Sequence, residues 1–345
     1  MRRARRAARA ALAAALAAAC RGEPAAAPAV LAEADTVVAP ESELLGVPVD
    51  LAVDGSGRVY VLDNALGRIV RLEDGARPTV LGRRGGGPGE MEGPLALRVD
   101  GDSIRVDDRG NGRALVLAAD GAPVRSFPLP PRSPGALAFG ARGEAAVATS
   151  GLSAAGLAVR LDAAGEPRGT LGALLAPPVR ILNFTAMKAD VRRGRIPAVL
   201  RNAAIPVFGE GGGAWLVLAA EGAVRRYDAG GREVWSRPVR TPEVRAIRER
   251  FFSLNRAEKS PYSFYPLAYF ADAAAVGEEL WLLVNTPEEE PSVVLVLEGG
   301  GKLARRYILP GVFGARDLAV DEARGRLYLS VPSSAALLSV RLPPT

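Results

Sequence analysis

Hydrophobic residues along this chain alternate in short runs, and the runs come in pairs. DLAVDGSGRVYVLD begins at Asp50, LALRVDGDSIRVDD at Leu95 and ALAFGARGEAAVAT at Ala136. PVFGEGGGAWLVLA begins at Pro206, LAYFADAAAVGEELWLLV at Leu267 and DLAVDEARGRLYLS at Asp317. Each reads as an apolar strand, a Gly or Asp turn, and a second apolar strand rich in Val, Leu, Tyr or Trp. After each of the first five comes another strand–turn–strand: RIVRLEDGARPTVLG, RALVLAADGAPVRSFPL, LAVRLDAAGEPRGTLG, AVRRYDAGGREVWSRPV and SVVLVLEGGGKLARRYIL. Asp74-Gly75, Asp120-Gly121 and Gly230-Gly231 supply the positive φ angles of tight hairpins. The repeating unit is therefore four antiparallel strands, the size of a β-propeller blade.

The sixth unit is one strand short. After DLAVDEARGRLYLS only LLSVRLP remains, and DTVVAP, Asp35 to Pro40, stands ahead of the first unit as donor of the missing outer strand. A strand from the N-terminal side closing the last blade leaves no exposed sheet edge. The expected fold is all-β: a six-bladed β-propeller with four-stranded antiparallel blades over 35–345, the last blade closed by an N-terminal strand. The aspartates Asp54, Asp100 and Asp321 recur at one turn of the unit, which assigns them to turn formation. Tyr60, Trp215, Trp281 and Tyr328 recur on the second strand and are expected to pack between blades.

Two long interruptions break the period, 173–204 and 241–266, and both fall on the face that carries the blade-to-blade connectors. The second opens with Thr241-Pro242-Glu243, the start of a helix, followed by Val244, Ile247, Phe251 and Leu254 on one stripe. A third irregular stretch, GRRGGGPGEMEGP at 82–94, invites comparison with a phosphate-cradling loop. No Gly-Lys-Ser/Thr follows it and the next element is a strand, so it is expected to connect blade one to blade two.

The N-terminus has a different character. Arg2, Arg3, Arg5, Arg6 and Arg9 precede a short run from Ala10 to Ala19, too short to span a bilayer, and the run ends in Cys20, the only cysteine. This pattern resembles a bacterial lipoprotein signal over 1–19, with Cys20 lipidated, although Ala17 stands where a leucine is usual. The stretch 20–34 is expected as a flexible tether. An exported protein held at a membrane through its lipid, facing the periplasm or the cell surface, is the expected outcome; an ordinary signal cut after Ala19 is the alternative.

The signal alters the charge picture. The chain carries +6, and five of those charges sit in the first twenty residues, so the remainder is close to neutral at +1. The basic pI is no argument for nucleic acid. The insertions carry +5 (173–204) and +2 (241–266), leaving the rest of the mature chain at −6. This asymmetry makes Arg192, Arg193 and Arg195, with Tyr262 and Tyr265 of PYSFYP, the candidate residues for an anionic ligand, a glycan or an envelope protein. The chain has no histidine, which excludes Ser-His-Asp and Cys-His catalysis and histidine-held metals. Asp63, Asp107 and Asp108, at the ends of second strands, with Asn64 and Asn285, form a weak oxygen set for a cation. No metal and no cofactor are expected.

The six units, their Asp/Gly turns and the GGGPGE connector together resemble the bacterial six-bladed β-propeller lipoproteins related to NHL-repeat and TolB-like proteins, over nearly the whole mature chain. The resemblance implies the fold more than an activity, because this architecture hosts lyases, lactonases, sugar-binding modules and scaffolds. Propeller lactonases commonly use Glu, Asn and Asp around an axial metal, and asparagines are few here. The sequence therefore leads to a non-enzymatic monomer binding a ligand or partner protein on its insertion-bearing face. The alternative is a secreted hydrolase or lyase acting on a lactone, glycan or peptide.

Overall fold

In each blade the strand order follows from how many faces are covered. Second strands such as Val59–Asp63 and Ala214–Leu218 are buried at every residue. Outer strands such as Glu233–Pro238 are largely exposed. The computed structural model describes residues 29–343 except 32, 41, 131–134, 152–155 and 180.

Six four-stranded units are arranged around one axis. Blade one comprises Pro48–Val53, Val59–Asp63, Arg68–Leu72 and Thr79–Leu81. Blade two comprises Leu97–Asp100, Ser103–Asp108, Arg113–Ala118 and Pro123–Pro128. Blade three follows with Leu137–Phe139, Ala145–Ala148, Ala158–Leu161 and Pro167–Leu171, and blade four with Ala204–Phe208, Ala214–Leu218, Ala223–Tyr227 and Glu233–Pro238. Blade five is Phe270–Val276, Glu279–Val284, Pro291–Leu297 and Leu303–Phe313. Blade six is Asp317–Asp321, Arg326–Val331 and Ala336–Arg341, completed by Asp35–Val38. The chain is thus the six-bladed propeller expected, closed by the expected strand. The inner strands pack neighbour against neighbour around the ring.

Apolar side chains fill each blade interface. Tyr60, Leu62, Met91 and Ile104 occupy the first, Trp215 with Leu280 and Leu282 the fourth. At the closure, Val38, Leu45, Leu51, Tyr328 and Leu337 join blade six to blade one. The aromatic residues of the second strands are packing residues, as their recurrence indicates: Tyr60 and Trp215 are fully buried, and Trp281 and Tyr328 nearly so.

Blade five has an additional strand. Ala29–Val30 pairs in parallel with Leu303–Phe313, and Leu31 N–H donates to the Ile308 carbonyl. These three residues of the stretch expected as a tether are therefore docked on the propeller, and Leu31 is buried. The signal segment and Cys20 lie outside the described residues.

Both insertions are partly helical. Helix α1 (Phe184–Arg192) starts at Asn183, whose side chain accepts the Ala186 N–H. Helix α2 (Ala198–Arg201) is a single turn. Helix α3 (Pro242–Ala257) starts at Thr241, whose hydroxyl accepts the Val244 N–H, with Pro242 at its first position as read from the sequence.

Candidate functional site

The inner strands surround an axial channel of about 740 Å³. Three carboxyls line it at equivalent places on neighbouring blades: Asp50 in blade one, Asp272 in blade five and Asp317 in blade six. Two of them clasp the ring. Asp50 Oδ2 accepts the Leu97 N–H of blade two, and Asp272 Oδ2 accepts the Leu318 N–H of blade six. Asp50 Oδ1 also accepts its neighbour's N–H, from Leu51 at 2.8 Å.

Asp317 differs from both. It is 4% exposed, and its Oδ2 receives no hydrogen bond from any N–H or hydroxyl. Its polar neighbours are the carboxyls of Asp272 and Asp50, with the Leu318 N–H opposing them. Burial pushes the Asp317 carboxyl well above the usual carboxylate range, and the charges of Asp272 and Asp50 push it further. Burial likewise raises Asp50, helped by the charge of Asp272 and opposed by the Leu97 and Leu51 N–H groups. The charge of Asp272 thus opposes ionisation of both Asp50 and Asp317. Asp50 and Asp272 are half-buried, which leaves them open to the channel.

The channel wall also carries positive charge. Arg109, just past the second strand of blade two, lines the channel, donates to the Gly135 carbonyl and pairs with fully buried Asp107 at 2.5 Å. Burial raises the Asp107 carboxyl while Arg109 holds it down. Arg316, next to Asp317, lines the channel as well and reaches Glu288 at 3.4 Å. The channel wall therefore carries two guanidinium groups as well as the three carboxyls.

Sequence reasoning passed over the trio and pointed elsewhere. Of the proposed cation set, Asp63 accepts the Gly46, Val47 and Leu66 N–H groups. Asp108 accepts the Glu92 N–H and bonds Asn111 and Arg113. Asn64 and Asn285 donate to the carbonyls of Pro94 and Ala268. These groups organise connectors, and only Asp107 of the set lines the channel. Among the described residues no group of three or more His, Cys, Asp or Glu is arranged to hold a metal ion.

None of Arg192, Arg193, Arg195, Tyr262 and Tyr265 lines the channel. Arg195 is paired with Asp190, while Arg192 and Arg193 are exposed at the end of α1. Tyr262 is 85% and Tyr265 41% exposed. Two of the turn aspartates accept backbone N–H groups at their turns as expected, Asp54 from Ser56 and Arg58 and Asp321 from Arg324, whereas Asp100 pairs with Arg98 and Arg105. The GRRGGGPGEMEGP stretch folds on itself. Arg83–Arg84 pairs in parallel with Glu90–Met91, Arg83 and Arg84 bond Glu90 and Glu92, and Glu90 accepts the Gly87 N–H. Its polar groups are engaged within the connector and with Asp108, Asn111 and Arg113 of blade two.

The ring is shared with known structures. A catalytically inactive His-to-Ala variant of virginiamycin B lyase from Staphylococcus aureus, with quinupristin, superposes with a TM-score of 0.51 at 10% identity, over 90% of this chain and 87% of that one. Regucalcin from Agrobacterium tumefaciens, a calcium-binding protein, gives 0.52 at 14% identity, over 92% and 97%. A luciferin-regenerating enzyme gives 0.53 at 10% identity, over 89% and 94%. The likeness is one of fold. No family model matches the chain, and no curated protein matches its sequence.

Proposed function

We propose that this chain is an extracytoplasmic propeller enzyme, a hydrolase or lyase acting on a small lactone, glycan or peptide held in the axial channel. The observation that carries this is the carboxyl trio: a nearly sealed Asp317 with a donorless oxygen, beside two carboxyls that face the channel. Raised carboxyls next to a charged partner in a cleft are the usual basis of acid–base catalysis. In this scheme Asp50, held protonated, gives its proton to the leaving atom. Asp272 takes a proton from the attacking water in hydrolysis, or from the carbon beside a carbonyl in elimination. Asp317 is a positioning residue that keeps one proton within the trio. Arg109 and Arg316 favour a substrate whose carbonyl or anionic end lies at the channel wall.

The similar lyase loses its activity with a single His-to-Ala change, and this chain has no histidine. Any cleavage here therefore runs without histidine, and the proposal assigns it to the carboxyls. Export, with attachment through Cys20, belongs to the same proposal and rests on the arginine-rich start, the apolar run and the lone cysteine. The test is turnover of a panel of lactones, chromogenic glycosides and cyclic peptides by the mature chain. Asp272→Asn should abolish whatever activity is found, and Asp50→Asn should shift its pH profile. Turnover untouched by Asp272→Asn, or none across all three classes, would overturn the proposal.

A further inference from the structure

The two insertions form a rigid platform that displays apolar side chains to solvent. Phe184 of α1 stacks on Phe264 with centroids 6.5 Å apart, and Phe251 of α3 meets Phe264 edge-on at 5.9 Å. Lys188 of α1 is buried, and its Nζ donates to the carbonyls of Glu258 and Ser260. Asn255 of α3 donates to the Tyr265 carbonyl and accepts the Tyr265 N–H, 2.9 Å away. The loops on either side of the Phe184–Phe264 stack are thus fixed in place. They nevertheless leave Ile181 80%, Leu182 60% and Tyr262 85% exposed. Scattered exposed apolar residues need no explanation, but three on two interlocked loops do.

Cations accompany them. Arg192, Arg193 and Lys259 are exposed, with no carboxylate of a described residue in ion-pair range. The insertions together account for +7 on a chain whose other mature residues sum to −6. Exposed apolar tips and unpaired cations carried by the same two insertions are the chemistry of the anionic bilayer interface, where the tips enter the acyl boundary and the cations meet headgroups. The position of the N-terminal chain agrees. Ala29 docks on blade five, the blade entered directly from the α3 insertion, and the nine residues from Cys20 to Ala29 span at most about 30 Å when extended. One acyl chain gives only reversible binding, and a second contact makes it stable.

We propose that the insertion face is a membrane-docking surface for anionic lipid, with Ile181, Leu182 and Tyr262 entering the interface and Arg192, Arg193 and Lys259 contacting headgroups. This adds a second membrane contact to the lipid anchor, which the sequence had presented as the only one. It does not depend on the catalytic proposal. No helix among the described residues is long and apolar enough to cross a membrane, so the contact is peripheral.

The test uses the full chain carrying Cys20→Ala, which removes the acyl site, sedimented with phosphatidylcholine vesicles with and without phosphatidylglycerol. Binding should require phosphatidylglycerol and fall with salt. Arg192→Gln with Arg193→Gln should weaken it about 25-fold, ~5-fold for each cation removed. Ile181→Ser with Tyr262→Ser should abolish it while leaving the melting temperature in place, since both side chains are exposed. Absence of binding to anionic vesicles, or binding that neither double variant changes, would overturn the assignment. Capture of a protein through Tyr262 without vesicle binding would overturn it too.

Discussion

Replacing Asp317 by Asn should stabilise this protein, and by an amount that grows with pH. In the native ring Asp317 Oδ2 has no donor, and two carboxyls stand beside it. The amide has nearly the same shape but carries no charge, and its NH₂ can donate to a neighbouring carboxylate. A hydrogen bond to a charged partner contributes about 1.5–3 kcal/mol. Unfolding entropy is about 0.6 kcal/mol/K for a chain of roughly 300 residues, so the melting temperature should rise by about 2–5 °C. The pH dependence has a definite sign. Burial raises the native carboxyl above its unfolded value, so the native state keeps a proton that the unfolded chain has released. The stability linked to that proton is complete below the ordinary carboxylate range and is lost as pH rises through the raised native value. Asn does not titrate. The gain should therefore be small near pH ~4 and largest at alkaline pH, read as paired thermal melts by circular dichroism across that range. A constant difference between the two proteins, or a variant less stable at every pH, would refute the buried-proton account.

Two further outcomes test the fold around the site. Asp63→Ala removes the acceptor of three part-buried backbone N–H groups at the entry to blade one, and at about 1 kcal/mol for each hydrogen bond lost it should cost ~3 kcal/mol in denaturant unfolding; a loss below ~1 kcal/mol would mean water replaces the carboxylate. Val38→Asp places a charge in the interface that closes the ring and should cost about 3–5 kcal/mol, whereas Val37→Asp, at a position 41% exposed, should change stability by less than ~0.5 kcal/mol; equal effects would contradict the alternation of the closing strand.

The fold was readable because it is written locally and six times over. Period-two alternation, Asp-Gly turns and a missing strand with a donor upstream are features of adjacent residues. The start of α3 was legible for the same reason, since Thr241 and Pro242 act on the next turn. Functional placement was not legible from such signals. Asp63 and Asp108 look like free carboxylates at strand ends, but their connectors fold back and use them as backbone acceptors. Arg195 looked available and is paired to Asp190. A trace of the trio did exist: Asp50 and Asp317 open the same DLAVD motif, and Asp272 stands near the matching place in FADAAAV. Repetition alone cannot separate them from Asp54 and Asp321, which also repeat and serve turns.

By itself, then, the sequence determined the blade, the number of blades, the strand that closes the ring and the two interruptions, because short-range pattern and chain order dictate these. Only the tertiary structure decided that Asp50, Asp272 and Asp317 share one channel. Asp50 and Asp317, from opposite ends of the chain, meet only when blade six seals against blade one, and burial raises these two only once that seal excludes water. Packing of one insertion on the other likewise stacks Phe184 on Phe264, a pair that sequence spacing could not predict.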